Sequence, residues 1–180
     1  MTGWPAMARR IRVPVGFVFA ALYLWLARPS WISIAGGGVI VVVGLALRAY
    51  ASGHVVKAAE LTTTGPYAYT RNPLYLGSII MAAGFAVAAR SLWLAVAMVV
   101  LLAVIYVPVI RFEEQYMRAR FADFEEYARR VPRLWPRLPA AGTDSRFSTE
   151  LYLKHREYNA LLGAAGMLAA LVFKLVWFSR

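Results

Sequence analysis

The sequence predicts an all-α membrane protein that forms one domain over residues 1–180. Hydrophobic residues make up 61% of the chain and charged residues only 16%, with a mean hydropathy of +0.56. This composition is too apolar for an ordinary soluble domain. The apolar residues also fall into long runs separated by short polar segments, which is the pattern of helices that cross a bilayer. We therefore expect about five transmembrane helices.

Five apolar segments are long enough to cross, or nearly cross, a hydrocarbon core about 30 Å thick. They are Val13 to Ala27, Trp31 to Leu47, Leu74 to Ala89, Leu92 to Ile110 and Ala160 to Phe178. Three residues join the first two and two residues join the next two, so each pair is expected to form a tight antiparallel hairpin. We interpret the first segment as a retained span and not as a removed signal peptide. Glycines at 36–38, 163 and 166 predict faces of close helix packing.

The distribution of charge predicts how the chain is oriented. If the N-terminus is cytosolic, sixteen of the twenty Lys and Arg residues lie on the cytosolic side, as the positive-inside rule requires. The four cations on the other side are Arg28, Arg90, Lys174 and Arg180. All nine carboxylates fall on the cytosolic side, so we expect the functional site on that side. Topology thus accounts for the net charge of +11, and without a nucleic-acid motif we expect no nucleic-acid partner.

The cytosolic face is built from residues 52–72 and 111–158. Apolar residues at intervals of three, four and eight predict one amphipathic helix that ends at Val131-Pro132. They are Phe112, Tyr116, Phe124, Tyr127 and Val131. Acid-before-base pairs four residues apart should each stabilise this helix by about 0.2–0.5 kcal/mol. These pairs are Glu114 with Arg118, Glu125 with Arg129 and Glu126 with Arg130.

Asn72 and Pro73 stand at the beginning of the third span. Asparagine at the N-cap and proline at the first helical position are a preferred helix start, and this role alone could account for the pair. A helix N-terminus also presents unpaired N–H groups, which with Arg71 beside them could hold a carboxylate or a phosphate. Aromatic faces that could stack a base or contact a cation come from Tyr67, Tyr69 and Tyr75.

Glu113 and Glu114 follow the fourth span directly. Adjacent carboxylates repel each other unless a cation or a hydrogen-bond donor satisfies them. The pair is either the solvated first turn of the amphipathic helix or the place where a cofactor's hydroxyl or amino groups bind. Arg111 either reaches to the interface or binds an anionic group of a substrate. The absence of cysteine excludes disulfides, thiolate metal sites and a cysteine nucleophile, and we expect no metal site.

These residues resemble the integral-membrane methyltransferases that include isoprenylcysteine carboxyl methyltransferase and the phospholipid N-methyltransferases. The resemblance covers about residues 52–136. The matching motifs are Leu61-Thr62-Thr63-Thr64-Gly65-Pro66-Tyr67, Arg71-Asn72-Pro73-Leu74-Tyr75-Leu76-Gly77, a hairpin of two spans, Glu113-Glu114, Phe121-Ala122-Asp123-Phe124-Glu125-Glu126-Tyr127 and Val131-Pro132. Two positions depart from the pattern. Asn72 stands where the family often has histidine, and Ala122 stands where glycine is usual.

The resemblance implies that S-adenosyl-L-methionine binds in a cytosolic pocket between the loop, the start of the third span and the amphipathic helix. The cofactor-binding residues that it implies are Glu60, Leu61, Thr62, Tyr67, Arg71, Asn72, Pro73, Leu74, Tyr75, Gly77 and Glu114. Arg111 and Glu113 are the candidate catalytic residues. The additional C-terminal span, at about 160–178, lies outside the matching region.

The resemblance does not define the methyl acceptor. The expected partners are membrane lipids and a hydrophobic or lipid-linked acceptor, with a phospholipid amine or a small thiol as alternatives. An ionised acid needs no general base, whereas a protonated amine does. Because only Glu113, Glu114 or a tyrosinate could serve as that base, an O- or S-acceptor is favoured. Two other classes remain open: a non-enzymatic scaffold whose basic helix binds anionic lipids, and a nicotinamide-dependent reductase of sterol-like lipids.

Overall fold

The computed structural model describes residues 4–55, 60–138 and 146–178, with side chains from residue 14 onward. The all-α prediction is confirmed, since these residues form helices and no strand. The α-helices are α1 (Trp4–Leu26), α2 (Trp31–Ser52), α3 (Pro73–Ala89), α4 (Leu92–Arg120), α5 (Phe124–Arg130), α6 (Thr149–Lys154) and α7 (Tyr158–Phe178). A short 3-10 helix (Gly65–Ala68) precedes α3.

Among the described residues, three helices, α2, α4 and α7, are long and apolar enough to cross a membrane. Two shorter apolar helices accompany them, Pro14–Leu26 and Pro73–Ala89. At 1.5 Å per residue, α3 is only about 25 Å long, slightly less than a hydrocarbon core of about 30 Å. Serine side chains cap the first turns of two spans: Ser30 accepts from the N–H of Ser33 in α2, and Ser91 accepts from that of Leu94 in α4. The count of five spans stays a prediction.

Helices α2 and α3 form the most extensive contact in the bundle. Glycines bring their backbones together: a Cβ atom added to Gly44 would lie 2.6 Å from the carbonyl oxygen of Gly77, and one added to Gly84 would lie 2.6 Å from that of Gly37. The predicted packing role is confirmed for Gly37. It is wrong for the other glycines named in advance, because an added Cβ would meet nothing within 4 Å at Gly36, Gly38, Gly163 and Gly166.

The expected hairpin of α1 and α2 is wrong. Within the described residues, α1 packs mainly on α4 and also contacts α7. The physical reason is that α3 already covers the glycine face of α2. The end of α1 is joined to α3 instead, because the hydroxyl of Tyr23 donates to the carbonyl of Phe85 (2.7 Å) and the N–H of Arg28 donates to that of Ala89 (2.9 Å). The expected hairpin of α3 and α4 does pack together.

The single amphipathic helix predicted after the fourth span is also wrong, because the chain folds it as two. Helix α4 continues to Arg120, residue Phe121 is extended, and α5 begins at Phe124. The break lets Phe124, Tyr127 and Val131 form a buried cluster against Leu61. Of the three predicted ion pairs only Glu126–Arg130 forms, at 3.2 Å. Glu125 pairs with Arg118, and Glu114 pairs with Arg71 and Arg133.

Polar contacts attach the C-terminal helices to the end of α2. The N–H of Ser148 donates to the carbonyl of Gly53 at 2.9 Å. The guanidinium of Arg48 contacts both carboxylate oxygens of Glu157, at 2.7 and 2.9 Å, and also donates to the carbonyl of Leu74 and the hydroxyl of Ser78. Arg48 thereby joins α2, the first turn of α3 and the residue before α7.

Candidate active site

A cavity of about 420 Å³ lies where the loop before α3, the first turn of α3, the end of α4 and α5 meet. Its walls are formed by Val55, Glu60, Leu61, Thr62, Tyr67, Arg71, Asn72, Leu74, Tyr75, Glu113, Glu114, Tyr116, Met117, Phe124 and Tyr127. Ten of the thirteen site residues predicted from the sequence are in this set. The two motifs on either side of the α3–α4 hairpin therefore meet at one cavity.

Three predicted site residues lie elsewhere. Pro73 is fully buried as the first residue of α3. Gly77 packs against α2, since a Cβ atom at this position would lie 2.6 Å from the Cγ of Arg48. Arg111 is exposed on α4 and does not line the cavity. The structure thus places Pro73 and Gly77 in helix packing and leaves Arg111 outside the wall.

Five residues of the wall were not predicted as site residues: Val55, Tyr116, Met117, Phe124 and Tyr127. Tyr116, Phe124 and Tyr127 belong to the apolar stripe that predicted the amphipathic helix. They were assigned to one face of a continuous helix, and the turn at 121–123 is what brings Phe124 and Tyr127 back toward the loop. Nothing in the local sequence marks Val55 or Met117.

Glu114 is the charged centre of the cavity wall and is only 6% exposed. Arg133 donates to both of its carboxylate oxygens, with Nε at 3.1 Å and Nη2 at 2.6 Å, and the Nη2 atom of Arg71 lies 3.3 Å from Oε1. The hydrogen bonds to Glu114 raise the pKa of Arg133. A buried carboxylate needs such partners, because an unpaired charge in a protein interior is costly. Glu113 is exposed at the same cavity.

Arg71 retains an unused donor. Its side chain is 12% exposed, and its Nε atom is buried with no hydrogen-bond partner among the described residues. The guanidinium also lies over the ring of Phe124, 5.9 Å from the centroid. An unsatisfied buried donor costs about 1–3 kcal/mol. A ligand with an acceptor oxygen in this cavity would remove that cost.

Asn72 occupies the N-cap position of α3, but its side chain makes no capping hydrogen bond, which corrects the predicted role. Its Nδ2 atom donates to the carbonyl of Arg133 (3.0 Å), which also accepts from the hydroxyl of Thr70 (3.1 Å). Main-chain bonds add to this contact: Arg71 N–H donates to Pro132 (2.9 Å) and Arg137 N–H donates to Tyr69 (3.0 Å). Residues 69–72 and 132–137 are therefore held together as one frame.

Two buried tyrosines complete the wall. The hydroxyl of Tyr127 donates to the carbonyl of Tyr67 at 2.8 Å. Burial is the main cause that raises the pKa of both phenols, and for Tyr127 it outweighs the opposing effect of Arg71. Both side chains are therefore neutral near pH 7, which argues against either acting as a tyrosinate base.

The described residues contain no group of three or more His, Cys, Asp or Glu side chains that could hold a metal ion. The two histidines lie next to main-chain carbonyls at the end of α2. The Nδ1 atom of His54 is 2.7 Å from the oxygen of Tyr50, and that of His155 is 3.1 Å from the oxygen of Ser52.

The chain is similar to two curated proteins whose names describe metal resistance. It is 37% identical over 98 residues to the nickel-cobalt-cadmium resistance protein NccN of Alcaligenes xylosoxydans xylosoxydans, covering 54% of this chain and 45% of that protein. It is 34% identical over 136 residues to the cobalt-zinc-cadmium resistance protein CzcN of Cupriavidus metallidurans, covering 71% of this chain and 62% of that protein. The chain thus spans about half to three fifths of the length of these relatives.

No solved structure matches the chain significantly. The family model for phospholipid methyltransferases matches residues 32–123, just over half of the chain. The matched region runs from the start of α2 to the turn before α5, so it includes the α3–α4 hairpin and the motifs on both sides of it. The chain belongs to the phospholipid methyltransferase family, a family of membrane methyltransferases.

Proposed function

We propose that this protein transfers a methyl group from S-adenosyl-L-methionine to a hydrophobic or membrane-associated acceptor. One observation carries the proposal: the Arg71-Asn72 and Glu113-Glu114 motifs, separated by a membrane hairpin, meet at one cavity. We further propose that this cavity faces the cytosol, because the charge distribution favours that orientation.

The residues of the wall fit the chemical groups of the cofactor. The unused Nε–H of Arg71 suits a carboxylate, and Glu113 and Glu60 are carboxylates in the wall that could accept from an amino group or from hydroxyls. Tyr67, Tyr75 and Phe124 supply aromatic faces for a flat base or a cationic centre. A cavity of about 420 Å³ lies within the usual range for small-molecule sites.

When bound, the cofactor supplies an electrophilic methyl group on a sulfonium. The contribution of the protein is to orient the acceptor and to exclude water, which can lower a barrier by several kcal/mol. Glu114 is held between two arginines, so we assign it to cofactor binding and to the organisation of Arg71. With both buried tyrosines neutral, the carboxylate of Glu113 is the better candidate for removing a proton from an acceptor that needs deprotonation.

A second cavity favours an acceptor with an apolar chain. It has a volume of about 330 Å³ and lies between α1, α3, α4 and α7, with lining residues that include Met81, Phe85, Met98 and Met167. Met81 lies six residues beyond Tyr75 on α3, or about 9 Å along the helix axis. An apolar chain held there would leave its polar end toward the first cavity. A phospholipid amine or a small thiol is the alternative acceptor, and the metal resistance in the relatives' names does not define one.

Calorimetric binding of S-adenosylhomocysteine to detergent-purified protein tests the proposal. We expect micromolar binding by the unaltered chain and at least about tenfold weaker binding, or about 1.4 kcal/mol, in Glu114→Gln and in Tyr75→Ala. Arg129→Gln, an exposed substitution on α5, is the control and should bind normally. A folded wild-type protein that binds no S-adenosylhomocysteine would favour the lipid-binding scaffold, and binding of a nicotinamide cofactor instead would favour the reductase.

The acceptor is tested separately with radiolabelled S-adenosylmethionine. The panel contains a prenylated cysteine with a free carboxylate, a small thiol and phosphatidylethanolamine. We expect label in the acid or the thiol. Label in phosphatidylethanolamine alone would contradict the preference for an O- or S-acceptor and leave the donor site unaffected.

A further inference from the structure

We propose that the end of the bundle opposite the candidate active site binds the phosphate of an anionic phospholipid. A cleft of about 580 Å³ lies there, between the ends of α1, α3 and α7. Three cations line it: Arg28 from the α1–α2 connection, Arg90 at the end of α3 and Lys174 from α7. The proposal is independent of the methyltransferase reaction, because none of these residues lines the candidate active site.

The fold holds the three cations together. The main-chain N–H of Arg28 donates to the carbonyl of Ala89, directly before Arg90. The Nζ atom of Lys174 donates to the carbonyls of Leu24, Trp25 and Ala27 at 2.6–2.7 Å, which uses all three of its N–H groups. Lys174 is therefore committed to capping α1. The exposed guanidinium groups of Arg28 and Arg90 make no side-chain hydrogen bond or ion pair within the described residues.

No carboxylate among the described residues balances the charge of the cleft. Every carboxylate among the described residues lies on a loop or a helix end at the other side of the bundle. Three helices end at the cleft and two, α2 and α4, begin beside it. Since each helix terminus acts as roughly half a charge, these termini nearly cancel and leave only about half a negative charge against three cations. The cleft therefore attracts an anion.

The backbone of Arg90 has an unusual conformation. It ends α3 in the left-handed conformation, with φ 50° and ψ 39°. Glycine is the usual residue at such a position, because a β-carbon is strained there. Arg90 thus keeps a guanidinium at the cleft despite a strained backbone, and this group has no side-chain partner among the described residues.

The surroundings of the cations favour a lipid over a soluble anion. Trp25 and Phe178 line the cleft and are 76% and 74% exposed. Trp93, the second residue of α4, is 84% exposed, and Trp31 at the start of α2 is 62% exposed. Exposed tryptophans at helix ends are typical of the membrane–water interface. A phospholipid satisfies both parts of this surface, because its phosphate pairs with the arginines while its acyl chains cover the apolar rim.

The test compares the melting temperature of the protein in POPC vesicles with that in POPC vesicles that contain POPG. Intrinsic tryptophan fluorescence monitors the unfolding. We expect POPG to raise the melting temperature of the wild type by several degrees. The Arg28→Gln/Arg90→Gln variant should lose most of this shift. The matched control is Arg120→Gln/Arg129→Gln, which removes two exposed arginines from the other end of the bundle and should keep the shift.

A single substitution separates lipid binding from folding. Arg90→Gly removes the guanidinium and also relieves the left-handed backbone, so in POPC alone it should be at least as stable as the wild type, with a reduced response to POPG. An unchanged POPG shift in Arg90→Gly and in the double variant would overturn the site. An equal shift with inorganic phosphate in POPC vesicles would overturn the assignment to a lipid.

Discussion

The α2–α3 pair and helix α7 show two different ways in which this bundle holds together. In the pair, the backbones touch through glycines at 37, 44, 77 and 84. Helix α7 packs through the fully buried Leu171 and is held by charged contacts near its two ends, Glu157 to Arg48 and Lys174 to main-chain carbonyls at the end of α1 and just beyond it. A cavity lies beside its middle. Because lipid provides no hydrophobic force between helices, close packing and interhelical polar contacts supply much of the association energy. The α2–α3 pair therefore holds the α3 side of the candidate active site in place. The cavity beside α7 leaves room for a bound molecule.

The largest effect is expected from a β-branched residue in the glycine contact. Gly84→Val would place atoms against the backbone of Gly37, which cannot move without separating the two helices. We expect a loss of about 3 kcal/mol and little folded protein. The control is Gly163→Val in α7, where an added Cβ meets nothing within 4 Å. Size-exclusion chromatography and thermal unfolding compare the two variants. If the two variants gave equal elution profiles and equal melting temperatures, the α2–α3 pair would not be the rigid part of the bundle.

The polar attachment of α7 is tested by Glu157→Gln. This change removes the charge opposite Arg48 in a largely buried pair, with side-chain exposures of 21% for Arg48 and 10% for Glu157. We expect the free energy of unfolding to fall by about 1–3 kcal/mol. Glu126→Gln, which breaks the exposed pair with Arg130, should change it by less than about 0.5 kcal/mol. An equal fall in the free energy of unfolding of the two variants would show that Arg48 does not attach α7.

A smaller effect is expected where α5 meets the loop before α3. Tyr127→Phe removes the hydrogen bond to Tyr67 and should cost about 1 kcal/mol at pH 7. In the unfolded chain a tyrosine loses its proton near pH 10, whereas burial raises the pKa of Tyr127 in the folded chain. Its stabilising effect is therefore complete below pH 10 and declines above it. Between pH 8 and 11, the free energy of unfolding should decline less steeply in Tyr127→Phe than in the wild type. An equal decline in both proteins would contradict a buried phenol at position 127.

The smallest effect should have the opposite sign. Gly163→Ala adds a methyl group in open space on α7, and alanine is favoured over glycine within a helix by about 0.5–1 kcal/mol. We expect a small rise in melting temperature, whereas Gly84→Ala should lower it because of the contact with Gly37. A decrease in both variants would mean that α7 packs as tightly as α3.

The residues of the cavity wall were more predictable than the packing that supports them. Arg71, Asn72 and the Glu113-Glu114 pair are marked by unusual residue types at the start and the end of spans. Arg133 was not found, because its contact with Glu114 joins positions 19 residues apart and leaves no local pattern. Gly77 was assigned to the cofactor through the family resemblance, and a glycine in a motif does not show which neighbour it approaches. In the structure that neighbour is α2.

The helix partners were predicted from the lengths of connections, which was correct for α3 with α4 and wrong for α1 with α2. A short connection keeps two helix ends near each other, but side-chain shape decides which faces meet. The break after Arg120 has a similar origin. The apolar period continues through it, so periodicity alone predicts one helix, and burial of Phe124 and Tyr127 against the loop favours two.

Two of the bonds in the frame between residues 69–72 and 132–137 join main-chain groups only, since Arg71 and Arg137 donate through their backbone N–H groups. Such bonds do not depend on side-chain identity, and only proline would remove either donor. Over evolutionary time, side chains around the cavity can therefore be exchanged while its outline is kept. For the proposed methyltransferase, this separation would let the acceptor change without a change of fold.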